Sequence, residues 1–216
     1  MKNSNVVRAL RDLSFALSLL LVVGTTSAAP YQVHLDTNTL AGFGWLDLQF
    51  NPGQATAPAA TATVSTFSGA VGNEAPQVFG DVRGTLPGVV TFGNTTAFNN
   101  LFQKVNLGGL IDFSVDFSGA FLRTIDNIGT SFAVALYADD MMTPLGNADA
   151  AGSLANFALF PASADGAGQV TFTIADASIV SVVPGIGKEV PEPGQVPLFI
   201  LGLIALGMGS LPRRSK

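Results

Sequence analysis

A two-residue alternation of apolar and polar side chains runs through the middle of this chain, and it restricts the fold more than any other feature. Tyr31, Val33 and Leu35 alternate with Gln32, His34 and Asp36, and Leu46, Leu48 and Phe50 alternate with Trp45, Asp47 and Gln49. Further on, Phe113, Val115 and Phe117 alternate with Asp112, Ser114, Asp116 and Ser118, and Val170, Phe172 and Ile174 with Thr171 and Thr173. Successive side chains of a strand point to opposite faces, so each run reads as a half-buried antiparallel strand. Thr61-Ala62-Thr63-Val64, residues 88–92 and residues 131–137 read as further strands, the last apolar on both faces as a deeply covered strand would be. Turn clusters such as Asn51-Pro52-Gly53 separate them. No central segment carries a helical period, and residues 99–105 are the best candidate for a short helical turn. The expected fold is all-β: an antiparallel β-sandwich, jelly-roll-like or immunoglobulin-like in layout. The absence of a fixed-period repeat argues against a β-helix or propeller.

Charge and composition narrow the function classes. Between residues 30 and 189 stand 13 acidic and four basic residues (Arg83, Lys104, Arg123 and Lys188), a net charge of −9. So acidic a surface disfavours nucleic acid and anionic membranes as partners. With one His and no Cys in 216 residues, the chain cannot build a His/Cys zinc site, an iron–sulfur cluster, a thiol nucleophile or a disulfide.

Candidate chemistry in the middle of the chain is sparse. A Ser-His-Asp site would have to use His34, which lies on the polar face of its strand, and no Gly-x-Ser-x-Gly elbow occurs. Asp112 and Asp116 share a strand face and are the candidate carboxylate pair for glycoside hydrolysis, although solvating the outside of a sheet is the commoner role. Asp139, Asp140, Asn147 and Asp149 make an oxygen-rich stretch suited to calcium, without the spacing of a calcium loop; turn chemistry alone accounts for them. Residues 185–188 lack the glycine and hydroxyl positions of a phosphate-binding loop. Trp45 is the candidate for stacking on a sugar ring, because the alternation puts its indole on the polar face. No catalytic residue and no cofactor is assigned.

Both ends read as sorting segments. Lys2, Arg8 and Arg11 precede the apolar run 14–23, and small residues follow up to Ala28. This is the pattern of a secretory signal peptide over 1–28, cut after Ala28 by signal peptidase. The domain then covers 29–183, and Pro/Gly-rich residues 184–189 form a linker. Residues 196–211 carry no charge and are expected to form a transmembrane helix, roughly 24 Å long at ~1.5 Å per residue. Arg213, Arg214 and Lys216 follow it, which sets the expected orientation with this end in the cytoplasm.

Val190, Pro191, Glu192 and Pro193, then one short apolar helix, then the Arg213-Arg214 pair, resemble the PEP-CTERM sorting signal of Gram-negative bacteria. The resemblance covers 190–216, with Pro197 and Pro212 as departures from its pattern. It implies handling by an exosortase-type membrane enzyme that reads the three-part tail, in producers of exopolysaccharide or biofilm. The expected protein is therefore exported across the inner membrane and transiently anchored there. It then passes to the cell surface or the extracellular matrix as a non-enzymatic structural or adhesive module. A carbohydrate-binding module is the alternative, with exopolysaccharide as its ligand; a secreted hydrolase comes third.

Overall fold

Each run of alternating side chains forms a strand. The structure, a computed structural model, describes residues 29–185. Within them the chain forms β1 (Tyr31–Asp36), β2 (Phe43–Pro52), β3 (Ala60–Ser68), β4 (Gln77–Phe79), β5 (Val82–Gly84) and β6 (Val90–Gly93). There follow β7 (Asn100–Asn106), β8 (Leu110–Gly119), a 3-10 turn at Ala120–Leu122, β9 (Thr130–Ala138), β10 (Ala155–Phe160), β11 (Gln169–Ile174) and β12 (Val180–Pro184). The strands form two six-stranded antiparallel sheets, one in the order β12-β1-β8-β3-β6-β5 and the other β11-β10-β9-β2-β7-β4. These are sheets A and B below.

The inward residues of both sheets meet in one core. Val33, Leu35, Val64, Phe92, Phe113, Val115 and Phe117 come from sheet A, and Leu46, Leu48, Phe50, Phe132, Val134 and Phe157 from sheet B. Phe132 is central to it: its ring lies 5.8 Å from Phe92 and Phe117 across the sheets, and 5.9 Å from Phe157 and 6.4 Å from Phe50 within its own. Tilted rings at such separations add to simple burial. This shared apolar layer sets which face of each strand looks outward.

At both edges the chain crosses directly between sheets, from β4 to β5 and from β11 to β12. The first crossing turns at Gly80, with φ +74; a Cβ there would lie 2.1 Å from the Phe98 carbonyl oxygen. Asn99, fully buried, fastens this crossing: its Oδ1 accepts from the Asp81 N–H at 2.8 Å and its Nδ2 donates to the Phe50 carbonyl at 2.8 Å.

One expectation is corrected: residues 99–105 form no helical turn, since Asn99 precedes β7 and 100–105 lie within it. Leu101, Gln103 and Val105 face inward there, and the buried Gln103 broke the apolar half of the alternation. Strands β4 and β5 are only three residues each, too short for a period to show. In β10 it is the polar half that fails, because Ala158 and Phe160 on its outward side are apolar. The domain also runs slightly past 183, since Pro184 closes β12 and the Gly185 N–H donates to the Pro30 carbonyl at 2.6 Å. Among the described residues no helix is long and apolar enough to cross a membrane. The expected signal peptide and the expected span 196–211 lie outside the described residues.

Candidate functional site

The outer face of sheet B is the most elaborated surface on the domain. Outward-facing Trp45 and Asp47 on β2 are flanked in register by Lys104 and Phe102 on β7 and by Tyr137 and Ala135 on β9. Trp45 is only 4% exposed, which overturns the expectation of an indole free to stack on a sugar. Its strand parity is as expected, on the side away from Leu46 and Leu48, but other side chains cover it. The Lys104 ammonium lies 5.7 Å from the Trp45 ring centre and 5.1 Å from that of Phe43, a cation–π arrangement. That ammonium also donates to Glu74 at 2.6 Å and Asp139 at 2.8 Å, so it ties the segment before β4 to the turn after β9. These two hydrogen bonds, Asp139 foremost, hold the Lys104 pKa above its ordinary value.

Beside Trp45, Asp47 is 1% exposed. One carboxylate oxygen accepts from Gln49 Nε2 at 2.7 Å and the other from Asn100 Nδ2. Phe102 pairs with Asp47 and Tyr137 with Trp45, so with strands ~4.8 Å apart and ~3.4 Å per residue their backbones stand diagonally across β2, more than ~10 Å from one another. Their ring centres are nonetheless 5.7 Å apart. The two rings therefore lean together over β2 and roof Asp47. Burial pushes the Asp47 pKa up to about 6, against the lowering effect of the two amide donors. Burial, reinforced by the charges of Asp47 and Asp149, also raises the Tyr137 pKa. Two buried polar atoms on this face, Trp45 Nε1 and Asn100 Oδ1, lack a hydrogen-bond partner.

Sheet A presents a plainer polar face. His34 on β1 sits opposite Asp112 on β8, with Nδ1 2.6 Å from the carboxylate Oδ1. Thus Asp112 pairs with His34, whereas the expected grouping was with Asp116, which faces outward four positions along the same strand. Next to this pair, Gln32, Ser114 and Thr66 form a hydrogen-bonded row; Thr66 reaches Ser114 at 2.6 Å from a bulge where its own φ is 52°. Among the described residues no hydroxyl bonds to His34 Nε2, so the His–Asp pair has no serine in line.

The calcium candidates do not converge. Asp139 pairs with Lys104, and Asp140 accepts from the N–H groups of Met142 and Thr143 and from the Thr143 hydroxyl. Those bonds, led by the hydroxyl, lower the Asp140 pKa. Asp149 accepts from the Ala151 and Ser153 N–H groups, while the Asn147 N–H donates to Asp176. This is turn chemistry, and among the described residues no three acidic or histidine side chains cluster. A surface depression lined by Gly53, Gln54, Asn127, Ile128 and Gly129 holds no ionisable side chain. Val190, Pro191, Glu192, Pro193, Arg213, Arg214 and Lys216 lie outside the described residues.

Sequence reasoning passed over Asp47, Lys104 and Asn99. Lys104 left a signal, as one of four cations in a body with 13 acids. Asp47 left none, since an outward acid in an alternating strand ordinarily meets water. No family model, curated protein or solved structure matches this chain.

Proposed function

We propose that this is an exported surface or matrix protein with a structural or adhesive β-domain, sorted through its tail by an exosortase-type enzyme. The single observation that carries the reading is the order of residues 190–216: Pro191-Glu192-Pro193, an uncharged apolar stretch, then Arg213-Arg214. Proline fixes its own φ and disfavours helical backbone at the residue before it, so a Pro-Glu-Pro order suits the extended form in which a processing enzyme reads a peptide. In this reading the apolar stretch would set the depth of the motif at the membrane, and the arginines would stop translocation. The acidic body suits solubility outside the cell, and its core requires no disulfide. We read β1 to β8 as a jelly roll, because the orders β1-β8-β3-β6 and β2-β7-β4 interleave two Greek keys across the sheets. The structural reading is preferred to carbohydrate binding because the closed outer face of sheet B covers Trp45, the one tryptophan a sugar could stack on.

The test is replacement of Pro191, Glu192 and Pro193 by alanine, in a host that possesses exosortase. Fractionation and intact mass then report the fate of the tail. The expected result is an exported, folded protein whose unprocessed tail stays in the inner membrane. Processing as efficient as the parent's would make the motif an ordinary proline-rich linker and the sorting reading wrong.

A further inference from the structure

Asp47 is a buried carboxyl without a counter-ion. Only the amides of Gln49 and Asn100 serve its oxygens, and among the described residues no cation lies within ion-pair distance of it. The charged and titratable groups on the surrounding elements are committed elsewhere. On β7, Lys104 is held by Glu74 from the segment before β4 and by Asp139 from the turn after β9. On β9, Tyr137 is a neutral phenol whose pKa is raised, by burial first and then by the charges of Asp47 and of Asp149 from the loop before β10. The outward neighbours on β2, Trp45 and Gln49, carry no charge.

A carboxylate so placed gives up its hydration and receives no ion in exchange, so the closed fold favours the protonated form. Its pKa, moved from 3.8 to about 6, corresponds to a bias on the order of a hundredfold. The roof is the part that can yield. Phe102 and Tyr137 are each half-buried and meet in one tilted ring contact, whereas the strands beneath them are tied by continuous ladders. Trp45 Nε1, a buried donor without a partner, would gain one from water as the roof parts.

We propose that Asp47 is a proton-operated latch on the outer face of sheet B. With the carboxyl protonated, the Phe102–Tyr137 roof rests closed over β2. Ionisation parts the two rings, admits water to the carboxylate, and opens the Trp45 indole on the side of Tyr137, its partner in register, while Lys104 stays over its other side. The domain thus presents a covered face in mildly acidic surroundings and an opened aromatic one above neutrality. This rests on the geometry of sheet B alone and is independent of how the tail is sorted.

Trp45 is the only tryptophan, so its emission reports this face directly. The full-length protein in mild detergent is titrated from about pH 4.5 to 8 while acrylamide quenching of that emission is followed. The expected result is an about twofold or larger rise in the quenching constant, as for local opening, with its midpoint above the ordinary 3.8 and no higher than the closed-form Asp47 pKa of about 6. Asp47→Asn, neutral throughout, is expected to stay at the low value across the range. His34→Gln, altered on the other sheet, is expected to keep the parent's rise. Hydrogen exchange of the parent supplies a readout that needs no variant: β2, β7 and β9 stay protected at both ends of the titration if only the roof moves. Flat quenching in the parent overturns the latch. So does a rise that survives in Asp47→Asn, one that disappears in His34→Gln, or a loss of protection throughout the three strands.

Discussion

Asn99→Asp tests whether one amide holds the β4–β5 crossing against β2. The exchange is nearly isosteric, so it alters hydrogen bonding with little change in packing. Asn99 is fully buried, and its Nδ2 donates to the Phe50 and Thr96 carbonyls, each at 2.8 Å. Its Oδ1 accepts from the Asp81 N–H and the Thr96 hydroxyl. Aspartate keeps the acceptor and removes both donors, leaving two carbonyls facing a carboxylate. The Phe50 carbonyl, a buried acceptor stripped of its partner, costs about 1–3 kcal/mol, whereas the exposed Thr96 can take a partner from water. Domains of this kind have about 5–15 kcal/mol in all. The new carboxyl would itself titrate upward, because burial and the adjacent carbonyl oxygens disfavour its charge. Part of the loss is therefore recovered at low pH, where the protonated carboxyl donates one bond, and that recovery fades as pH rises through its folded pKa. Urea unfolding of residues 29–185, which hold the whole core, is followed by Trp45 emission at about pH 4 and pH 7. A variant within about 1 kcal/mol of the parent at neutral pH, or one equally destabilised at both pH values, would refute the clamp.

Phe132→Ala removes the ring that touches four other phenylalanines from both sheets, and is expected to cost about 3–5 kcal/mol, read as a lower urea midpoint at unchanged slope. Asp176→Ala should be most destabilising at neutral pH. The Asn147 N–H, then the Ser178 hydroxyl, hold the Asp176 pKa below its ordinary 3.8, so its contribution is present above that value and is lost as pH falls. Parent and variant stability curves should therefore converge in acid; a constant gap would show that Asp176 acts through shape and not through its charge.

Much of the fold was legible because a strand imposes its period on the residues it buries. Val33 and Leu35, Leu46 to Phe50, and Phe113 to Phe117 declare an inner and an outer face locally, and no distant residue is needed to read them. The same holds for the acidic character of the body and for the turn roles of Asp140 and Asp149, which bond to their own next few residues. Where an inward polar residue interrupts the period, as Gln103 does in β7, local reading fails. The inward slot there is decided by what lies across the core.

The candidate surfaces were beyond local reading for a related reason. Alternation says that Trp45, Asp47 and His34 point outward, but not what stands beside them, because lateral neighbours come from strands remote in sequence. His34 meets Asp112 from 78 positions away, and Asn100 reaches Asp47 from 53. Sheet order and register alone bring Lys104 over the indole, lean Phe102 against Tyr137, and deprive Asp47 of water and of a counter-ion. An outward side chain on a sheet becomes buried or exposed according to the bulk and reach of its cross-strand neighbours. The sequence by itself thus determined which face each alternating strand turns to the core, and the tertiary pairing decided that one outer face would carry a roofed carboxyl and the other an open histidine–aspartate pair.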